Sequence, residues 1–271
     1  MKKLFLFLLI AILFVPGYAQ NRETRKVDSF TKINFRFPGK LYLKQGSPQK
    51  IELQGDKDVL EEVETEVTGD RLTIGKEGND WFNWDWDNDD RITVYITVPD
   101  IDGLSVSGSG DLIAEGEITG DDMNLNVSGS GSLTIEVELT GDLEADVSGS
   151  GNIDVKGKCK TFESDVSGSG RVQLAALILE KADFGVSGSG RIQARGSASE
   201  VAATISGSGK VLAADLIAKS CEIRISGSGD VEINVKEELN ANISGSGTVS
   251  YRGNPSRVNS HASGSGSVRK L

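Results

Sequence analysis

One histidine, two cysteines and five prolines in 271 residues remove several kinds of chemistry at the outset. With His261 alone, a Ser-His-Asp triad would have to use that single ring, and a His-Cys zinc cluster is hard to assemble. Basic residues are also in deficit, 29 Lys+Arg against 40 Asp+Glu, for a net charge of -11. Nucleic acid is therefore not an expected partner, because phosphate binding needs clustered Lys and Arg. Proline is missing altogether between residues 100 and 254, where it would interrupt strand ladders. Long apolar runs are missing too, except at the N-terminus.

That exception reads MKKLFLFLLIAILFVPGYA over residues 1–19. Two lysines precede an apolar run from Leu4 to Val15, Pro16 breaks it, and Gly17 and Ala19 are small. The pattern predicts a secretory signal peptide cut after Ala19. A run of about 12 residues is too short for ~30 Å of hydrocarbon, so no membrane span is expected after its removal. The exported chain is expected in the periplasm, at the outer surface or in the medium.

Glycine is in excess, at 33, and its placement is periodic. Ser-Gly-Ser-Gly starts at residues 107, 128, 148, 167, 187, 206, 226, 244 and 263, with spacings of 18 to 21 residues. Val, Ile or, once, Ala precedes each copy. The second residue after each copy is Leu, Ile or Val, and the residue between is polar. Apolar and polar positions thus alternate at the period of a strand. A unit of some 20 residues cannot bury its own apolar face, so the units must stack. The expected fold is all-β: a parallel β-helix (β-solenoid) of about nine coils of 18–21 residues over 101–271. At ~4.8 Å per coil the rod is about 43 Å long.

Parity with Val106 and Leu112 puts Gly108 and Gly110 on the inward face and the serines outside. A phosphate-binding reading fails on spacing. Ser206-Gly207-Ser208-Gly209-Lys210 resembles the end of a P-loop, but Val211 stands where Ser or Thr should hold magnesium. Cys159 and Cys221 fall three coils apart, roughly 14 Å at ~4.8 Å per coil. A disulfide needs Cα atoms within ~7 Å, so both are expected as unpaired thiols packed like small apolar residues. Arg171, Arg191 and Lys210 stack as one basic column.

Residues 20–100 lack the repeat. Short alternating runs around Phe30–Phe37, Leu41–Leu43, Ile51–Leu53, Leu72–Ile74 and Ile92–Val98 predict strands. Residues 56–63 predict a short helix with Asp56 as its N-cap. An open solenoid end exposes unpaired strand, so this block is expected to be a β-rich cap continuous with the coils.

One stretch in the cap stands apart. Residues 77–91, EGNDWFNWDWDNDDR, hold all three tryptophans, Trp81, Trp84 and Trp86, among six acids. Asp85, Asp87 and Asp89 alternate as in a calcium loop, but Asp90 stands in place of the required glycine and Ile96 in place of the closing glutamate. The EF-hand match fails, and no metal site is assigned. Three readings remain open: a solvated loop whose rings fold back on the cap, a surface where Trp81, Trp84, Trp86, Asp85 and Asp87 meet a glycan or protein, and a calcium-binding loop of another kind.

Val27-Asp28-Ser29-Phe30, Leu72-Thr73-Ile74, Val94-Tyr95-Ile96-Thr97-Val98-Pro99 and the recurring Val-Ser-Gly-Ser-Gly resemble the head GIN domain family of autotransporter-type adhesins of Bacteroidota, over about 27–250. The resemblance implies a β-helix with a cell-surface role and supplies no binding or catalytic residues. An autotransporter ends in a translocator barrel, and residues up to Leu271 leave no room for one. The leading expectation is an exported, non-catalytic, monomeric binding module for a glycan or surface protein, with no cofactor. A polysaccharide-active β-helix enzyme and a passive structural module are the alternatives; the enzyme would need long loops and a converging Lys, Arg and Asp set.

Overall fold

The computed structural model of the chain describes residues 21–76 and 92–271. Strands make up 76% of it and helix 3%, so no helical layer covers a sheet face and the sheet must bury against itself. The N-terminal elements are β1 (Asn21–Arg25), β2 (Lys32–Phe35), β3 (Gly39–Gln45), β4 (Lys50–Gly55), α1 (Lys57–Glu62), β5 (Val63–Thr68), β6 (Arg71–Lys76) and β7 (Ile92–Val98). The repeats supply β8 (Gly103–Gly108), β9 (Asp111–Gly120), β10 (Met123–Gly129), β11 (Ser132–Leu139), β12 (Asp142–Gly149), β13 (Asn152–Cys159), β14 (Thr161–Gly168), β15 (Arg171–Ile178) and β16 (Lys181–Gly188). Three long strands, β17 (Arg191–Gly207), β18 (Lys210–Gly227) and β19 (Asp230–Gly245), precede β20 (Thr248–Arg252), β21 (Arg257–Gly264) and β22 (Ser267–Lys270).

The chain is a β-solenoid with two walls. The first wall stacks β8, β10, β12, β14, β16, the second halves of β17, β18 and β19, and then β21, all parallel. The second wall stacks β9, β11, β13, β15, the first halves of β17 to β19, then β20 and β22, also parallel. Every Ser-Gly-Ser-Gly lies at the corner between the walls and in register with the next, from Ser107 aligned with Ser128 to Ser244 aligned with Ser263. The nine copies thus align along a solenoid of about eight turns, close to the nine coils expected.

Inward side chains follow the alternation. Leu133, Ile135, Val137 and Leu139 of β11 are buried and the residues between them are not. Bulk is matched between rungs: Phe162 aligns with Ala182, and Phe184 with Ser164, the two rings lying 6.0 Å apart and tilted. Ser164 is buried and donates its hydroxyl to Ala145 O at 2.7 Å, so it does not remain unsatisfied.

The corner differs from the simple parity expectation. The second glycine of each copy is inward, and a Cβ on Gly170 would lie 2.4 Å from Val147 Cγ1 of the preceding rung. The first glycine is half-buried in eight copies and exposed at Gly264, with φ between +109° and +127° in all nine, a conformation that side chains resist. Its carbonyl accepts the N–H of the second serine one rung on, as in Ser130 to Gly108 at 2.8 Å. The ladder at the corner thus runs through the backbone; of the tetrapeptide hydroxyls, Ser107 donates to Asn34 Oδ1 at 3.1 Å.

Parallel pairing continues into the N-terminal block. β2 lies between β8 and β6, and β3 between β9 and β7. Beyond these rungs the pairing turns antiparallel, β5 on β6, β4 on β7 and β1 on β4. Helix α1 buries Val59 and Leu60 on this end. Asp56 occupies the N-cap position as expected but makes no side-chain cap bond. Arg25 instead holds the other end of the helix, donating to Leu60 O at 2.8 Å. No helix among the described residues is long and apolar enough to cross a membrane.

Candidate functional site

Outward positions are where this fold can place chemistry, since the interior is filled with aliphatic side chains. Trp81, Trp84, Trp86, Asp85 and Asp87 lie outside the described residues. Their flanks are placed. Ile74 aligns with Phe35, which aligns with Val106, and Ile92 aligns with Gly39. Residues 77–91 therefore connect β6 to β7 where other rungs carry Ser-Gly-Ser-Gly.

The outer face of the second wall carries an aromatic pair on β3 and β7. Tyr42 of β3 and Tyr95 of β7 are stacked, with centroids 5.5 Å apart and planes at 15°. The Arg22 guanidinium sits 5.0 Å from the Tyr95 centroid, a cation–π contact. Arg22 also approaches Glu52 at 3.9 Å, and Lys50 holds Glu52 at 2.8 Å. The Lys50 hydrogen bond, with the two neighbouring cations, lowers the Glu52 carboxyl from its ordinary value. Each tyrosine sits between two inward aliphatics, Leu41 and Leu43 or Val94 and Ile96. That alternation was the available signal for this pair, which motif reading passed over.

Farther along the rod the first wall is acidic. Glu144, Glu163 and Asp183 align rung on rung, with Asp146 and Asp165 in the neighbouring column. Desolvation, then Asp146 and Glu163, raises the Glu144 carboxyl; desolvation, then Asp146 and Asp183, raises Asp165. At the cap, Asp100, Asp102, Asp121 and Asp122 edge a hollow of about 300 Å³ together with Thr31 and Thr119. Among the described residues no three His, Cys, Asp or Glu side chains converge in a way that could hold a metal. Cys159 and Cys221 are buried and unpaired, as expected, and burial pushes both thiols up to about 12. His261 is exposed on β21, beside no converging nucleophile. Arg171, Arg191 and Lys210 do form one column on the second wall; Lys210 pairs with Asp230 at 2.6 Å and the two arginines have no ion pair among the described residues.

Comparison with known proteins places these features in a wider set. Solved structures share the fold: a "putative adhesin" from Parabacteroides merdae ATCC 43184 has 23% identity and a TM-score of 0.71, over 93% of this chain and 96% of that one. A "putative adhesin" from Parabacteroides distasonis ATCC 8503 has 22% identity and a TM-score of 0.71, over 93% and 97%. A "putative lipid binding protein" from the same organism has 22% identity and a TM-score of 0.69, over 93% and 96%. No curated protein matches the chain. A family model described as "Putative auto-transporter adhesin, head GIN domain" matches residues 29–195 and again 179–255.

Proposed function

The chain belongs to the head GIN family of auto-transporter-type adhesins, and from that premise we propose that it is an exported, non-catalytic binding module of the cell envelope. Residues 1–19 serve as its signal peptide, and residues 20–271 act as one continuous, monomeric unit in the periplasm, at the outer surface or outside the cell. The observation that carries this reading is the constancy of the rungs. Nine copies at spacings of 18 to 21 residues leave no long loop with which to wall a catalytic cleft. What they offer instead is rows of outward side chains repeated every ~4.8 Å, a geometry suited to many weak contacts.

The contact end is the cap, which carries the Tyr42–Tyr95 stack and, in the sequence between β6 and β7, Trp81, Trp84, Trp86, Asp85 and Asp87. Aromatic faces there suit a glycan or a protein surface. The test is an array of glycans and surface proteins, probed with calcium present and absent. The expected result is capture of at least one ligand by the parent chain and its loss in Trp81→Ala/Trp84→Ala/Trp86→Ala at unchanged melting temperature. Capture of nothing under either condition would leave the passive structural module. Release of soluble fragments from an arrayed polysaccharide would make the chain an enzyme.

A further inference from the structure

Charge is segregated around the middle of the rod. On β13, β15 and the first half of β17 the second wall turns Lys156, Lys158, Arg171, Arg191 and Arg195 outward. None of the five has an ion-pair partner among the described residues. The first wall at the same height carries the acidic columns of Glu144, Glu163 and Asp183 with Asp146 and Asp165. In a chain of net charge -11 this stretch of wall is net basic, although Asp154 stands on it and Glu136, Glu138 and Asp215 align with Lys156, Lys158 and Arg195 on the adjoining rungs.

The basic side has an apolar centre. Leu177, Leu179 and Ile217 are 47%, 48% and 44% exposed, three of the five large hydrophobic side chains that stand in solvent among the described residues. Register brings them together. Lys158, Leu177, Ser197 and Ile217 align in one outward column, and Lys156, Ala175, Arg195 and Asp215 in the next. Small residues between the columns leave a hollow of about 590 Å³ lined by Ala175, Leu177, Arg195, Gly196, Ser197 and, at its edge, Asp215. The hollow is fixed by backbone: Gly196 has φ +123°, and a Cβ there would lie 1.9 Å from Ala176 O. These aliphatics break the polar-out alternation at a place where interior packing does not need them.

We infer that this side of the rod lies on an anionic phospholipid surface. Leu177, Leu179 and Ile217 enter the boundary between headgroups and acyl chains, and Lys156, Lys158 and Arg195 meet the phosphates. The inference goes beyond the binding role assigned to the cap and concerns a stretch of the second wall several rungs farther along the rod. Charge and shape select the occupant. An acidic polysaccharide would satisfy the cations but not three exposed aliphatics, and no aromatic ring lines the hollow for a sugar to stack on. The acidic wall of a second copy would satisfy the cations too, yet it presents no large exposed aliphatic among the described residues and would set Leu177 and Ile217 against carboxylates. An anionic bilayer supplies phosphate and hydrocarbon at adjacent depths. The acidic first wall then faces away, and at physiological salt its field is screened beyond about 8 Å.

The test is co-sedimentation of the chain lacking residues 1–19 with vesicles of phosphatidylcholine, alone or mixed with phosphatidylglycerol. Binding is expected only to the mixed vesicles and should weaken with added salt. Each cation at the surface contributes roughly fivefold, so Lys156→Gln/Lys158→Gln/Arg195→Gln should bind on the order of 100-fold more weakly. Leu177→Ser/Ile217→Ser keeps every cation and should still lose about tenfold or more. Both variants alter outward positions, so unchanged circular dichroism and melting temperature are required of each. Failure of the parent chain to bind the mixed vesicles would overturn the inference. So would undiminished binding by the leucine–isoleucine variant, displacement from vesicles by a polyuronate at equal charge, or a stable dimer that disappears with these substitutions. None of these results bears on the array experiment, which reads the cap.

Discussion

Two glycines of one corner, Gly168 and Gly170, make separable demands, and alanine substitution tells them apart. Gly168 has φ +116°, and its Cβ would meet Gly149 O at 2.6 Å, so Gly168→Ala combines backbone strain with a clash against a neighbouring rung's backbone. Strain of this kind costs 1–3 kcal/mol, and the clash adds to it, giving about 2–4 kcal/mol. Gly170 carries no such φ; its Cβ would instead meet Val147 Cγ1 at 2.4 Å and Gly151 O at 2.8 Å. Gly170→Ala is overpacking and should cost about 1–3 kcal/mol. Val147→Ala removes that methyl and should itself cost about 2 kcal/mol. The double variant Gly170→Ala/Val147→Ala should then be more stable than the sum of its parts by about 1 kcal/mol or more, because the new methyl takes vacated space. Gly168→Ala/Val147→Ala should be additive, since Val147 is not among the atoms the Gly168 Cβ would meet. Thermal unfolding followed by circular dichroism reads this out, at roughly 2–4 °C per kcal/mol for a chain of this size. Additivity within ~0.5 kcal/mol in both pairs would refute the assignment of Gly170 to the interior against Val147.

Three further outcomes are expected. Val166→Asp or Ile205→Asp buries an unpaired charge between rungs, and either should abolish cooperative unfolding near the parent melting temperature; an unchanged melting curve would remove both residues from the core. Cys159 and Cys221 should not react with an aromatic disulfide reagent at pH 8 in the folded chain and should both react in urea; native-state reaction at either thiol would contradict its burial. Glu144 and Asp165 hold their protons more tightly folded than unfolded, so the stability linked to them is fully present at low pH and is lost as pH rises through their raised values. The groups facing them are Asp146, Glu163, Lys181 and Asp183, and the lowered carboxyls Glu52 and Asp70 act in the opposite sense only at lower pH. The melting temperature should therefore rise modestly from pH 7.5 to pH 5.5, and Glu144→Gln/Asp165→Asn should flatten that rise; a fall over the same interval would refute the linkage.

The rungs were legible in the sequence because one period of about 20 residues and one of two residues agree at every copy. The corner was legible only to the level of parity. Alternation says which way a side chain points, whereas the positive φ of Gly108 and its equivalents reflects how one backbone passes over the next. Asp56 has the right residue type at the right place for a cap, but Arg25 secures the far end of α1 from 35 positions away. The apolar hollow was hidden for another reason. Arg171, Arg191 and Lys210 keep a fixed offset from their tetrapeptides, so they align by counting. Leu177 and Ser197 share an offset too, ten residues after Ser167 and Ser187, but Ile217 lies eleven after Ser206, because the register shifts between Gln193 and Arg195. A bulge of one residue turns a column into an apparent scatter.

The acidic wall shows how little of the surface the fold itself specifies. Like charges placed opposite one another on neighbouring strands are destabilising. Glu144, Glu163 and Asp183 are nonetheless aligned on successive rungs, and the carboxyls of Glu144 and Asp165 are raised by desolvation first and then by the neighbouring acids. The backbone ladder and the inward aliphatics hold the register whatever stands outside, so no packing requirement put these acids there. Nor does packing require cations at Lys156 and Lys158 or exposed aliphatics at Leu177 and Ile217 on the other wall. In a stack where residues about 20 apart in sequence become neighbours at ~4.8 Å, any outward position repeated over three rungs becomes a stripe. Two stripes of opposite character at the same height, each at a cost to stability or solubility, point to surfaces that meet different neighbours.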